Sequence, residues 1–280
     1  MDITPVYVDE SLRYNTCNAH WLSADTIVKS YVDIHRRDVV KVDIECGEAN
    51  VHELVYAKTQ IPTPRIRRVV DCGDGEVFII MDRIRGRQLS EVWDSSIWKK
   101  LWVAFTLRRY ITQLRHLTKA PPGTPPGPIS PRRSKHCDSP RIFGELYPRV
   151  FPTVSDLAEF CNRRYLKMLG WLKTPQDDPA WKETFDSSEP LVNCHGDLVP
   201  RNMILGDDGW LWLVDWRFSG YYPPWFENYG MTIAAREEWM SLGNSYKYWN
   251  LFLPFICGGY FRQTAWLDVA AFTFDYAASP

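Results

Sequence analysis

The chain has no run of 18 apolar residues, so no membrane-spanning helix is expected. It has no C-x-x-C pair, and its seven Cys, at positions 17, 46, 72, 137, 161, 194 and 257, are scattered and odd in number. That usage fits reduced thiols in a cytoplasmic protein rather than a disulfide framework. None of the six His forms an H-x-x-x-H pair, which argues against a zinc site. An excess of either charge is also missing: the net charge of −1 speaks against a general nucleic-acid binder. The opening Met1-Asp2, with Asp9 and Glu10 close behind, is not the pattern of a signal peptide. What is present is an ordinary globular balance, 45% hydrophobic and 24% charged over 280 residues, enough for one two-lobed domain or two small ones. The 13 Trp and 14 Tyr, many of them in the last third, predict a large aromatic core there.

The most informative stretch is Cys194-His195-Gly196-Asp197-Leu198-Val199-Pro200-Arg201-Asn202, followed by Val214-Asp215-Trp216. It reads H-x-D-L-x-x-x-N, a hydrophobic hairpin, and a second Asp, the catalytic-loop and metal-loop arrangement of protein-kinase-like phosphotransferases. Gly196 permits an irregular loop and Pro200 forbids a helix. Met203-Ile204-Leu205 and Trp210 to Val214 are β-prone runs around a Gly206-Asp207-Asp208-Gly209 turn. A hairpin there folds the chain back and brings Asp215 near Asn202. Phosphoryl transfer from ATP needs a carboxylate beside the attacking hydroxyl and oxygen ligands for Mg²⁺. Asp197 suits the first role, Asn202 and Asp215 the second. Each part alone has a plain structural reading, as a turn, a cap or a strand end; the joint pattern is much rarer than its parts.

Upstream, Thr26 to Val32 and Asp38 to Ile44 predict strands, Glu48 to Lys58 a helix ended by Ile61-Pro62-Thr63-Pro64, and Arg65 to Val70 and Val77 to Met81 two further strands. Trp93 to Thr118 has helical periodicity. Lys119 to Pro140 is proline-rich and predicts a long loop, either a flexible lid or a connector. Residues 154–173 predict a helix, 175–190 a polar connector, and Glu227 to Asn244, Tyr246 to Ile256 and Phe261 to Ala278 the C-terminal helices.

The chain resembles the aminoglycoside phosphotransferase and choline-kinase-like family. The residues that carry the resemblance are Gly196 between His195 and Asp197, where protein kinases have Arg, and Asp215-Trp216-Arg217, where they have Asp-Phe-Gly. The segments Ile79 to Leu89 and Gly220 to Glu227 are also similar, the latter to the family's fungal members in particular. The resemblance implies an α+β, protein-kinase-like two-lobed fold, with a small β-rich N-lobe over residues 1–84 and a larger, mainly helical C-lobe over 85–280. It implies ATP and Mg as cofactors and a small-molecule hydroxyl acceptor as partner. It makes Asp82 to Gly86 a hinge, with residues 81 to 84, Met81 and Ile84 among them, as candidates to hold an adenine edge.

Such a fold needs a strand Lys on the nucleotide phosphates, held by a helix carboxylate. Lys41 in Val39-Val40-Lys41-Val42 is the first choice and Lys29 the rival. The family's carboxylate position falls on Asn50, leaving Glu48 and Glu53 as candidates. No G-x-G-x-x-G precedes the strands, and His-Arg-Asp, Asp-Phe-Gly and Ala-Pro-Glu are all missing, which lowers a protein-kinase reading. A small-molecule kinase and a nucleotide-binding pseudokinase or scaffold remain, the intact Asp197, Asn202 and Asp215 favouring the first. For the acceptor, Trp225, Trp239, Trp249 and Trp266 form either a cation–π box or part of the core.

Overall fold

The computed structural model describes residues 19–32, 47–73, 76–130, 136–137, 139–143, 149–243 and 246–276. By contact these divide into two units, one from residues 1–44 and 64–84, the other from 45–63 and 85–280. The architecture is α+β, as expected.

The first unit is a four-stranded antiparallel sheet of β1 (Ala19–Trp21), β2 (Thr26–Val32), β3 (Ile66–Gly73) and β4 (Glu76–Asp82), in the order β1-β2-β4-β3. Val77, Ile79 and Met81 are buried at alternate positions of β4, the period of a half-buried strand. Lys29 pairs in register with Ile79, and Ile27 with Met81. Asp82, expected to open the hinge, ends β4, and its carboxylate accepts from Arg67 Nε at 2.5 Å. The predicted strand Asp38 to Ile44, and Lys41 with it, lies outside the described residues.

The second unit begins with α1 (Gly47–Lys58). On the sequence this helix falls within the 1–84 segment; by contact it groups with the second unit. Val51 and Val55, one turn apart, are fully buried in its core, beside the buried polar side chains Glu48 and His52. After β5 (Gly86–Gln88) and the one-turn α2 (Leu89–Val92) comes α3 (Ile97–Leu117), capped by Ser96, whose hydroxyl accepts from Trp98 N. Then follow the one-turn α4 (Pro140–Phe143) and α5 (Val154–Trp171). A reciprocal capping box starts α5: Thr153 Oγ1 accepts from Asp156 N, and Asp156 Oδ2 from Thr153 N.

The remaining elements are β6 (Val192–Cys194), β7 (Met203–Gly206), β8 (Leu211–Leu213), β9 (Gly220–Tyr222), α6 (Trp225–Leu242), α7 (Trp249–Cys257) and α8 (Phe261–Tyr276). β7 and β8 are the expected hairpin, extended by β5 to a three-stranded sheet, and β6 pairs with β9. After Lys119, the described residues 119–130 are anchored to the second unit. Gly127 exchanges backbone hydrogen bonds with Tyr221 at 3.0 and 2.8 Å, and Asn50 Nδ2 donates to Ile129 O at 3.0 Å. A Cβ at Gly220 would stand 2.4 Å from Gly127 O, so only glycine allows this approach.

Two apolar clusters fill the unit. One joins Val51, Val55, Leu107, Leu211, Leu213, Trp216 and Trp249; the other joins Leu157, Phe160, Tyr165, Trp225, Tyr229 and Trp266. The four C-terminal tryptophans therefore form no box. Trp249 lies in the first cluster, Trp225 and Trp266 in the second, and Trp239 is exposed. Of the Cys, 137, 161, 194 and 257 are buried. No described helix is long and apolar enough to cross a membrane.

Candidate active site

The loop between β6 and β7 brings the H-x-D-L-x-x-x-N residues together. His195 is fully buried, its ring 4.5 Å from that of Trp216 and its Nε2 3.1 Å from Val214 O. Gly196 has φ +80°, and a Cβ there would stand 2.6 Å from Phe218 O. Glycine at this position thus has a steric cause: the backbone of Phe218 passes where a side chain would go. Val214 N donates to Asn202 O at 3.0 Å, which fixes the residue before Asp215 to the end of the 195–202 loop. Asp215 itself sits at φ +65°, a conformation uncommon for a residue with a side chain and frequent at functional sites.

Asp197 and Asn202 are in contact: Asn202 Nδ2 donates to Asp197 O at 2.9 Å and to Asp197 Oδ2 at 3.0 Å. Burial raises the Asp197 carboxyl above the ordinary carboxylate range. Arg141 and Arg201 oppose that rise and the nearby charge of Asp215 adds to it. The three sequence-predicted residues of this loop pair are therefore neighbours. Among the described residues no group of three or more His, Cys, Asp or Glu could hold a metal ion. What Asn202 and Asp215 offer is one amide and one carboxylate oxygen. That donor set suits Mg²⁺, which is held by few protein ligands together with substrate phosphates.

The other candidates divide. Lys29, Met81 and Ile84 belong to the first unit, and Met81 is buried. Of the two helix carboxylates, Glu48 is buried and Glu53 exposed; Asn50 is committed to Ile129.

Sequence reasoning missed the charged frame around Asp197. Arg141 on α4 donates from Nη1 to Asp197 Oδ1 at 2.9 Å and from Nε to Glu237 at 2.6 Å. Arg201 donates to both Asp197 oxygens at 3.1 and 2.8 Å and pairs with the buried Glu238. Glu227, in the first turn of α6, accepts from His195 N and Gly196 N. Arg201 was findable, since it stands four residues after Asp197 in the same loop. Arg141 carries no local signal.

A second buried chain backs the segment that carries Asp215. Trp216 Nε1 donates to Thr63 Oγ1 at 3.0 Å, and Thr63 Oγ1 is 2.7 Å from His52 Nε2. Leu213 N donates to Pro62 O at 2.9 Å. The turn after α1 is thereby part of the support beneath Asp215.

This chain belongs to the phosphotransferase enzyme family, whose model matches residues 47–254. No curated protein matches it. Among solved structures it is similar to the apo form of a thermostable mutant of aminoglycoside phosphotransferase APH(4)-Ia, with 14% identity and TM-score 0.43 over 91% of this chain and 88% of that one. It is also similar to the GDP complex of wild-type aminoglycoside 2'-phosphotransferase-IIIa, with 14% identity and TM-score 0.48 over 92% of this chain and 79% of that one. At these scores they add nothing to the family match, and the narrower likeness to fungal members has no support from them.

Proposed function

We propose that the chain is an ATP- and Mg²⁺-dependent phosphotransferase that moves the γ-phosphate to a hydroxyl of a small molecule. The observation that supports this reading is the meeting of Asp197, Asn202 and Asp215, built by a buried loop and a hairpin and held by named hydrogen bonds. Asn202 and Asp215 would hold Mg²⁺, and Mg·ATP supplies the phosphoryl group and the neutralisation of its charge. Asp197 orients the acceptor hydroxyl and takes its proton at a carboxylate oxygen. Its raised pKa makes it a better base than an exposed aspartate. Lys41, with Lys29 as rival, is proposed for the nucleotide phosphates, and the backbone of Met81 to Ile84 for the adenine.

A second reading is a nucleotide-binding protein without turnover. One observation favours it: both Asp197 oxygens already carry two donors each. The deciding experiment is ATP consumption with and without a panel of amino alcohols, aminoglycosides and sugars, with products identified by mass spectrometry. Acceptor-dependent formation of a phosphorylated product supports the kinase. Tight Mg·ATP binding with no product across the panel supports the second reading.

A further inference from the structure

Asp197 has no acceptor position left open. Its Oδ1 takes Arg141 Nη1 at 2.9 Å and Arg201 Nη2 at 3.1 Å; its Oδ2 takes Arg201 Nη2 at 2.8 Å and Asn202 Nδ2 at 3.0 Å. An ionised carboxylate offers about four lone-pair sites. A base must come within hydrogen-bond reach of the proton it takes, so one donor has to leave before a hydroxyl can enter.

The three donors are not equally free to go. Arg201 and Asn202 share the loop with Asp197. Asn202 also holds the Asp197 main-chain oxygen, and Arg201 is pinned by the buried Glu238. Arg141 reaches in from 56 residues away, on a one-turn helix. Its Nε already rests on Glu237, whose side chain is 43% exposed. Arg141 can therefore give up Asp197 and keep a carboxylate partner.

We propose that Arg141 is a specificity-determining residue that holds the acceptor's place on Asp197, yielding it to a bound hydroxyl substrate and withholding it from water. The proposal rests on the kinase reading above. A charge-assisted hydrogen bond to a nearly buried carboxylate outcompetes a single water. A small-molecule acceptor brings further contacts, whose binding energy offsets the displacement; water brings none. The reaction suppressed is ATP hydrolysis. In it a water oxygen bonds to the γ-phosphorus, and the bond to the bridging oxygen breaks with its electron pair going to ADP. The water proton passes through Asp197 to solvent, leaving ADP and inorganic phosphate.

The test uses the full chain with Mg·ATP and water as the only acceptor, read as phosphate release. Arg141→Ala should raise this hydrolysis about 10-fold or more over wild type, the scale of one lost charged hydrogen bond. Arg141→Lys, which keeps a cation and a donor, should stay close to wild type. If the Ala variant does not fold, Arg141→Gln must show the rise instead. A second readout needs no turnover. In urea unfolding, the midpoint shifts of Arg141→Ala and Asp197→Asn should sum to more than the shift of the double variant, because the two residues share one contact. Unchanged or reduced hydrolysis in the Ala variant overturns the proposal, as does additivity in the unfolding cycle. A wild type that fails to bind Mg·ATP in calorimetry removes the kinase reading and this inference together. A wild type that binds, beside a variant that gains no hydrolysis, removes the inference alone.

Discussion

The Glu227 carboxylate accepts the backbone N–H of His195 at 2.5 Å and that of Gly196 at 3.2 Å, so α6 holds the loop that carries Asp197 by its main chain. Burial pushes Glu227 up to about 7 from 4.5, against the pull of those two donors. Below 4.5 both folded and unfolded chains hold the proton. Between about 4.5 and 7 the folded protein holds it and the unfolded chain does not. The stability contributed by this group therefore falls as pH rises through that window. Glu227→Gln cannot titrate, and its amide N–H₂ faces one of the two N–H groups. Denaturant unfolding across pH 4 to 8 should show a lower stability for the variant and a smaller loss of stability with rising pH between about 4.5 and 7. An identical pH dependence in variant and wild type would assign the proton elsewhere.

Asp197→Asn should lower turnover by about 10²–10⁴, the usual worth of a general base. The variant leaves Asn202 and Asp215 in place, so Mg·ATP binding in calorimetry should stay within a few-fold of wild type. Near-native turnover would remove Asp197 from the role.

Asp215→Ala should abolish Mg²⁺-dependent nucleotide binding, because it removes the only carboxylate of the proposed Asn202–Asp215 pair. Titrating ATP with and without Mg²⁺ checks this. If the variant keeps the Mg²⁺ enhancement, another residue holds the metal.

Gly196→Ala should cost roughly 1–3 kcal/mol of folding stability, since it places a Cβ at positive φ against backbone. The added carbon would stand 2.6 Å from Phe218 O. A thermal midpoint equal to wild type would mean that the loop shifts freely.

Thr63→Val should cost about 1–3 kcal/mol, the penalty for a buried donor left without its acceptor. The group affected is Trp216 Nε1, on a fully buried indole. Urea unfolding measures the cost, and Thr63→Ser should restore most of it.

The loop chemistry was legible because it is local. Asp197, Asn202 and Asp215 lie within 19 residues, and Gly196, Pro200 and the β7–β8 hairpin state the path between them. Helix α5 was legible because it carries its own apolar period, with Leu157, Phe160, Cys161, Tyr165, Met168 and Leu169 on its buried face. The three-residue strands β6 and β9 are too short to show one, and they pair across 25 residues of intervening chain. The tryptophans could not be sorted by position, since composition does not tell two adjoining cores from one box. Arg141, Glu227, Glu237 and Glu238 were invisible as partners of the loop. Their contacts come from tertiary packing, and an arginine in a proline-rich connector looks the same whether it meets solvent or a buried aspartate.

Helix α6 acts on the site at two places along its length, through Glu227 near its start and through Glu237 and Glu238 near its end. Eleven residues separate 227 from 238, close to three full turns and about 16 Å of rise. The helix is thus a ruler with two graduations. Between them Gly230 also meets the loop, since a Cβ there would stand 2.8 Å from Gly196 O, and adding or deleting one residue turns the far end by about 100° and misreads both marks at once. The length of helix between these glutamates, and the glycine at 230, are what natural variation should preserve.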